Sequence, residues 1–260
     1  GALHHAQGKW YPGEDLPRWS TELYWRKDGK KIWHNTKFMT SFSPETVLPD
    51  HASNLFLNTL VKYLKVSHEH IIPAFEDVYH ALWEQGNLPF DADGNTENNF
   101  LEKQLSDILS KANNLPKGYI LPLNNAENVW YTSAWQFRRN NLFLTPGTSP
   151  IGLRLPLNSL IRKSGYDEFP VYRTDLFTKK KKLPSYKRIV NTRYKDFCDN
   201  GLDINKPNYF IRTALCAEVR EGKLYLFLPP LDAIEAFLDL IAAIEATAKA
   251  LNMPVIMEGY

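Results

Sequence analysis

Cysteine is scarce. Only Cys198 and Cys216 occur in 260 residues, with no metal-ligand spacing and no CxxC motif. That pattern excludes a disulfide framework and a zinc-knuckle site, and it reads as two reduced thiols in a cytoplasmic protein. No run of ~18 apolar residues is present, so no membrane-spanning helix is expected, and no secretory signal opens the chain. The phosphate-cradling G-x-x-x-x-G-K-[ST] loop is missing, as are G-x-G-x-x-G and G-x-S-x-G. Nucleophilic catalysis has no visible candidate. There is no internal repeat, and the four lysines Lys179 to Lys182 are the one biased tract. The chain starts on glycine and stops in the strand-like run Pro254 to Tyr260, which reads as a piece of a longer polypeptide.

What is present supports a packed core. Hydrophobic residues make up 43% and aromatic residues 13%, and the length allows one large domain or two small ones. The net charge of +2 conceals an asymmetry. Residues 173–195 hold nine basic side chains against Asp175 alone, so this window carries +8 and the rest of the chain −6. Tyr172, Phe177, Tyr186 and Tyr194 are interleaved with it. Charge plus stacking would suit a polyanion; a solvated loop is the plainer alternative. The rest of the chain gives no sign of nucleic-acid binding.

The opening stretch from Leu3 to Trp19 gathers His4, His5, Lys9, Arg18, Glu14 and three large aromatics around two glycines and two prolines. Those breakers predict an ordered loop that carries polar groups for a site. Adjacent histidines on extended chain face opposite sides, so His4 and His5 do not ligate a metal together; with Lys9 they could hold an anion. Residues 22–34 predict a hairpin about Asp28-Gly29. Helices are predicted over 51–65, over 73–85 with Pro73 in the first turn, and over 97–112. Asp91 to Glu97 has its glycine too early for a calcium loop and reads as a turn. Strands are expected over 119–123, 136–145 and 151–157. Tyr209 to Arg220 then reads as one strand, Glu221-Gly222 as a turn, and 224–228 as its partner. A helix over 232–251 follows, with Asp232, Glu235, Asp239, Glu245 and Lys249 on its exposed face, and a last strand at 254–258. This order is an α+β signature, a mainly antiparallel sheet with a helical insert. Three segments are expected: 1–168, a basic excursion at 169–207, and a strand-strand-helix-strand unit at 208–260.

Glu218 and Glu258 both fall on predicted strands. Carboxylates on a sheet face can hold Mg²⁺, which takes oxygen ligands and is commonly bound by one or two carboxylates plus substrate phosphates. Arg220, two residues on from Glu218, shares its face. It can clamp a phosphate or simply pair with the acid at the surface.

Several runs resemble one family: Gln7-Gly8-Lys9-Trp10-Tyr11-Pro12-Gly13-Glu14 with Leu16-Pro17-Arg18-Trp19, Tyr24 to Gly29, Gly118 to Leu123, Leu142 to Pro150, Arg154-Leu155-Pro156-Leu157, Arg212 to Cys216, and Glu258-Gly259-Tyr260. Together they are similar to the bacterial amidoligase family associated with transglutaminase-like domains. His5-Ala6 departs from that family's usual residues. The resemblance implies a glutamine-synthetase-like carboxylate–amine ligase fold. It also implies ATP and Mg²⁺ as cofactors, an acyl phosphate attacked by an amine, and a small-molecule or peptide carboxylate and amine as substrates. It implies further that acid-, histidine- and glycine-rich motifs follow beyond Tyr260 and that the 208–260 unit begins the catalytic sheet. On this reading Glu218 and Glu258 bind Mg²⁺, while Lys9, Arg18 and Arg220 neutralise phosphate oxygens. Such positioned cations contribute on the order of one to three powers of ten each in phosphoryl transfer. The competing class is a non-catalytic assembly module, whose opening loop and 234–251 helix face dock onto the rest of the parent polypeptide or a partner chain.

Overall fold

A computed structural model of the chain describes residues 2–7, 12–13, 19–39, 47–77, 80, 115–137, 141–162, 164–170 and 208–259. The predicted helix over 97–112, the Asp91 turn, the basic window and Cys198 lie outside these residues. Twelve strands and two α-helices are described. In chain order they are β1 (Ala2–Gln7), β2 (Trp19–Tyr24), α1 (Ala52–Leu64), β3 (Ile72–Phe75), β4 (Gly118–Pro122), β5 (Asn124–Ala126), β6 (Val129–Tyr131), β7 (Leu142–Phe143), β8 (Asp167–Glu168), β9 (Tyr209–Phe210), β10 (Ala214–Arg220), β11 (Lys223–Leu228), α2 (Ile234–Leu251) and β12 (Val255–Gly259).

Six strands form the main sheet in the order β12-β11-β10-β4-β3-β7. Three of its pairings are antiparallel (β11 with β10, β10 with β4, β4 with β3) and two are parallel (β12 with β11, β3 with β7). The mixed α+β, mostly antiparallel architecture expected from the sequence is present. The β10–β11 hairpin is closed by Glu221 and Gly222, at φ 50° and 71°. Two consecutive left-handed residues match the right-handed twist of the flanking strands. β11, α2 and β12 make a parallel crossover, with α2 lying on one face of the sheet.

Alternation decides which face each side chain serves. Leu215 and Ala217 of β10, Leu224, Leu226 and Leu228 of β11, and Leu121 of β4 pack with Phe56, Leu57, Leu60 and Leu64 of α1 and with Leu240, Ile241 and Ile244 of α2. The intervening residues Ile120, Cys216 and Phe227 join a second, smaller cluster with Trp135, Leu144 and Ile151 on the opposite face. Cys216 is a buried free thiol, and burial above all, with the Glu218 charge adding to it, pushes its pKa up.

Several expectations are corrected. The opening segment is not all loop: β1 and β2 pair antiparallel, Ala2 opposite Tyr24 and Gln7 opposite Trp19. β2 therefore finds its partner upstream. The 22–34 hairpin does not form, although the Arg26–Gly29 turn does, through the Gly29 amide bonding to the Arg26 carbonyl at 2.9 Å. Pro73 starts no helix but sits in β3, opposite Tyr119 of β4. The parallel pairing with β7 begins only at Ala74, so the missing proline N–H falls where no partner strand needs it. Among the described residues of the 136–145 segment, Leu142–Phe143 alone is a strand. Ile151 to Leu157 forms two 3₁₀ turns instead, Ile151–Leu153 and Leu157–Ser159, since Gly152 and Pro156 interrupt the alternation. The Tyr209–Arg220 strand is broken at 211–213.

The charged face expected on α2 is covered in part, at Glu245 and Asp239, while Asp232 and Lys249 are exposed. Glu245 is buried and accepts hydrogen bonds from the His34 and Asn35 amides, at 3.1 and 2.7 Å. Asp239 accepts from Trp130 Nε1 at 2.7 Å. The apolar face of α2 is already occupied by α1 and the sheet.

Candidate functional site

The sheet face turned away from the helices carries an ionic cluster on β10, β11 and β12. Glu218 stands mid-strand on β10, opposite Gly118 on β4 and Tyr225 on β11. It is only 3% exposed. Its Oε1 accepts the Ile151 amide at 3.1 Å and lies 3.5 Å from Arg220 Nε. Arg220 reaches across β11 and donates from Nη2 to Glu258 Oε1 at 2.6 Å. Its guanidinium carbon rests 3.7 Å from the centre of the Tyr225 ring, a cation–π contact. Three of the five candidate residues read from the sequence, Glu218, Arg220 and Glu258, thus meet in space. Lys9 and Arg18 lie outside the described residues.

Burial holds the Glu218 pKa above the usual carboxylate range. The Ile151 amide and the charges of Arg220 and Lys117 pull the other way, and Glu258 adds to the rise. Every contact of Glu218 falls on Oε1; among the described residues Oε2 has no hydrogen bond or ion pair. Glu258 likewise uses Oε1 alone. Arg220 Nε is buried and, among the described residues, makes no hydrogen bond; it pairs with Glu218 through charge alone at 3.5 Å. Two carboxylates flanking one arginine, each with one oxygen unpaired among the described residues, can receive a hard cation or exchange the arginine onto an anion.

Glycine makes the close approach possible. A Cβ on Gly118 would lie 2.6 Å from the Ala217 carbonyl oxygen and 2.8 Å from Ile151 Cδ1. One on Gly152 would lie 2.1 Å from the Phe227 ring. The 3₁₀ turn at 151–153 is therefore pressed onto β10 and β11, and that places its first amide at Glu218.

Residue-by-residue reading missed Arg154. It is 5% exposed. It donates from Nε to the Thr145 carbonyl at 2.7 Å, and its two terminal nitrogens grip both oxygens of Glu76, Nη1 at 3.0 Å. The only signal was the Arg154-Leu155-Pro156-Leu157 run, since an arginine among leucines and prolines has no period that announces burial. A separate cleft of about 420 Å³, lined in part by Arg162, Arg212, Phe169, Phe210 and Asp232, opens elsewhere. It shares no residue with the Glu218 cluster.

Fold and site together define an α+β protein with helices on one side of a mostly antiparallel sheet and a carboxylate–arginine cluster on the other. The chain belongs to the family described as "Putative amidoligase enzyme (DUF2126)", whose model matches residues 1–260. Comparison with curated proteins and with solved structures gives no match.

Proposed function

We propose that this chain serves an ATP-dependent carboxylate–amine ligase and that the face of β10, β11 and β12 bearing Glu218, Arg220 and Glu258 receives the Mg²⁺ and phosphates of the nucleotide. The meeting of Glu218, Arg220 and Glu258 on that face carries the reading, and membership of an amidoligase family supports it. The donor set suits a metal–phosphate unit better than a bare ion. Among the described residues no three His, Cys, Asp or Glu side chains gather to hold a metal, whereas Mg²⁺ usually keeps waters and phosphate oxygens beside one or two carboxylates. Glu218 and Glu258 would hold it through their spare oxygens. Bound Mg-ATP supplies the phosphoryl group that activates a substrate carboxyl for attack by an amine.

The chain's own groups have distinct tasks in this account. The Ile151 amide fixes one oxygen of Glu218 and so fixes the direction of the other. Arg220 is the resident cation between the two acids. With its Nε free of hydrogen bonds among the described residues and Tyr225 against its guanidinium, it would turn donors to phosphate oxygens. Lys9 and Arg18 would add positive charge from the opening segment. The glutamine-synthetase-like fold that the sequence resemblance implies is part of this proposal. The acid and amine are a small-molecule or peptide pair.

Calorimetric titration of the chain with Mg-ATP tests this. Binding at millimolar nucleotide or below, weakened at least tenfold in Glu258→Gln, is expected. A flat titration at millimolar Mg-ATP overturns the reading for this chain and favours the assembly-module alternative.

A further inference from the structure

We propose that Arg154 is a positioning residue for Glu218, acting through the turn that begins at Ile151. The inference rests on the ligase reading for its functional meaning, but its geometry stands separately. Glu218 sits on a strand, while the amide that fixes its carboxylate belongs to a turn without strand pairing of its own. Something must hold that turn against the sheet. Arg154 immediately follows it, and the Arg154 amide closes the turn on the Ile151 carbonyl at 3.0 Å.

From there the side chain ties three pieces together. Its two terminal nitrogens grip Glu76, just past the end of β3, as a planar fork that lysine cannot reproduce. Its Nε bonds the Thr145 carbonyl at 2.7 Å, just past β7. Its own carbonyl accepts from the Thr145 amide at 2.8 Å and from Thr145 Oγ1 at 3.1 Å. The loop 145–154 is thereby closed at its base and anchored to the sheet at Glu76. Gly118 and Gly152 leave no slack between the turn and the strands. The Ile151 amide, held in this way, has one acceptor, Glu218 Oε1. The charged groups about that carboxylate are Lys117 before β4, Arg220 on β10 and Glu258 on β12, with Tyr225 on β11 and Cys216 on β10 also on this face. None of them replaces an amide aimed from the turn. Loss of the fork frees Glu218 to rotate without removing any member of the cluster.

The test measures amide hydrogen exchange at Ile151 in the nucleotide-free chain, in Arg154→Lys and in Glu76→Gln. Glu76 is 37% exposed on its side chain, so Glu76→Gln keeps the fold and decides the matter if Arg154→Lys unfolds. Exchange at Ile151 should quicken by at least about tenfold while Ala217 and Leu226 in the neighbouring strands keep their protection, since local openings are independent of the global one. Unchanged protection at Ile151 in a folded variant overturns the proposal. A second arm uses a double-mutant cycle with Mg-ATP. If Arg154 acts through Glu218, Arg154→Lys weakens binding in the wild-type background and has no further effect in Glu218→Gln; additive losses overturn it. Exchange succeeding while the wild-type chain binds no Mg-ATP would sink the ligase reading and leave the positioning intact.

Discussion

Glu218 is a carboxylate kept where a carboxylate is costly. Burial is the largest influence on its pKa and raises it, against one amide and two cations that lower it. An acid whose folded pKa lies above its unfolded value binds more protons in the native state than in the unfolded one. Stability then falls as pH rises from the ordinary glutamate range through the raised folded value. Glutamine keeps an acceptor for the Ile151 amide and removes that pH term. Glu218→Gln should therefore gain melting temperature relative to the parent as pH goes from 4.5 to 7.5, read by calorimetry at both values. A gap that shrinks over this range would mean that the ionised form is the better stabilised one. A buried acid on a packed strand is the pattern expected where function needs the charge. The sequence exposed part of this arrangement. Period two put Glu218 and Arg220 on one face, but no pattern could show that Arg220 also reaches Glu258, 38 residues on, since that depends on the parallel crossover bringing β12 beside β11.

At the level of elements, the turn at 151–153 joins sheet to site, and glycines set how closely it approaches. Gly118→Ala would press a methyl group against the Ala217 carbonyl, which is backbone and cannot yield, and against Ile151. Overpacking of this kind costs about 1–3 kcal/mol. Urea unfolding should show a lower midpoint with an unchanged slope, together with faster exchange at the Ile151 amide. A midpoint equal to the parent's would mean that the turn has room to move. The elements built on strong periodicity were legible. α1 and α2 follow their apolar stripes, and the β10–β11 hairpin follows alternation about Glu221-Gly222. Those that depend on distant partners were not. Pro73 favours a helix start by local rule, yet β4 and β7 claim its neighbours for the sheet. Ile151 to Leu157 reads locally as a strand, but Pro150 before it and Gly152 and Pro156 within it leave it as turns. Glu245 looked solvent-facing on its helix, and a segment 210 residues earlier covers it through the Asn35 amide.

Across the molecule, two faces of one sheet divide the work. One is filled by α1 and α2 and supplies most of the buried apolar surface. The other is thinner in core, and its charges are held in place by a turn, an arginine fork and two glycines. Among the described residues no helix is long and apolar enough to cross a membrane. The family assignment covers the full chain, and the most specific run behind the earlier resemblance lies in the opening segment with Lys9 and Arg18. Whether a nucleotide lands on the charged face is the central claim, and paramagnetic broadening by Mn-ATP locates it directly. Mn²⁺ replaces Mg²⁺ on the nucleotide and erases nearby resonances. The account predicts loss of the Glu218, Tyr225 and Glu258 amide signals first, with those of α1 untouched. Broadening confined to the cleft at Arg162 and Arg212, or no selective broadening at all, would contradict it.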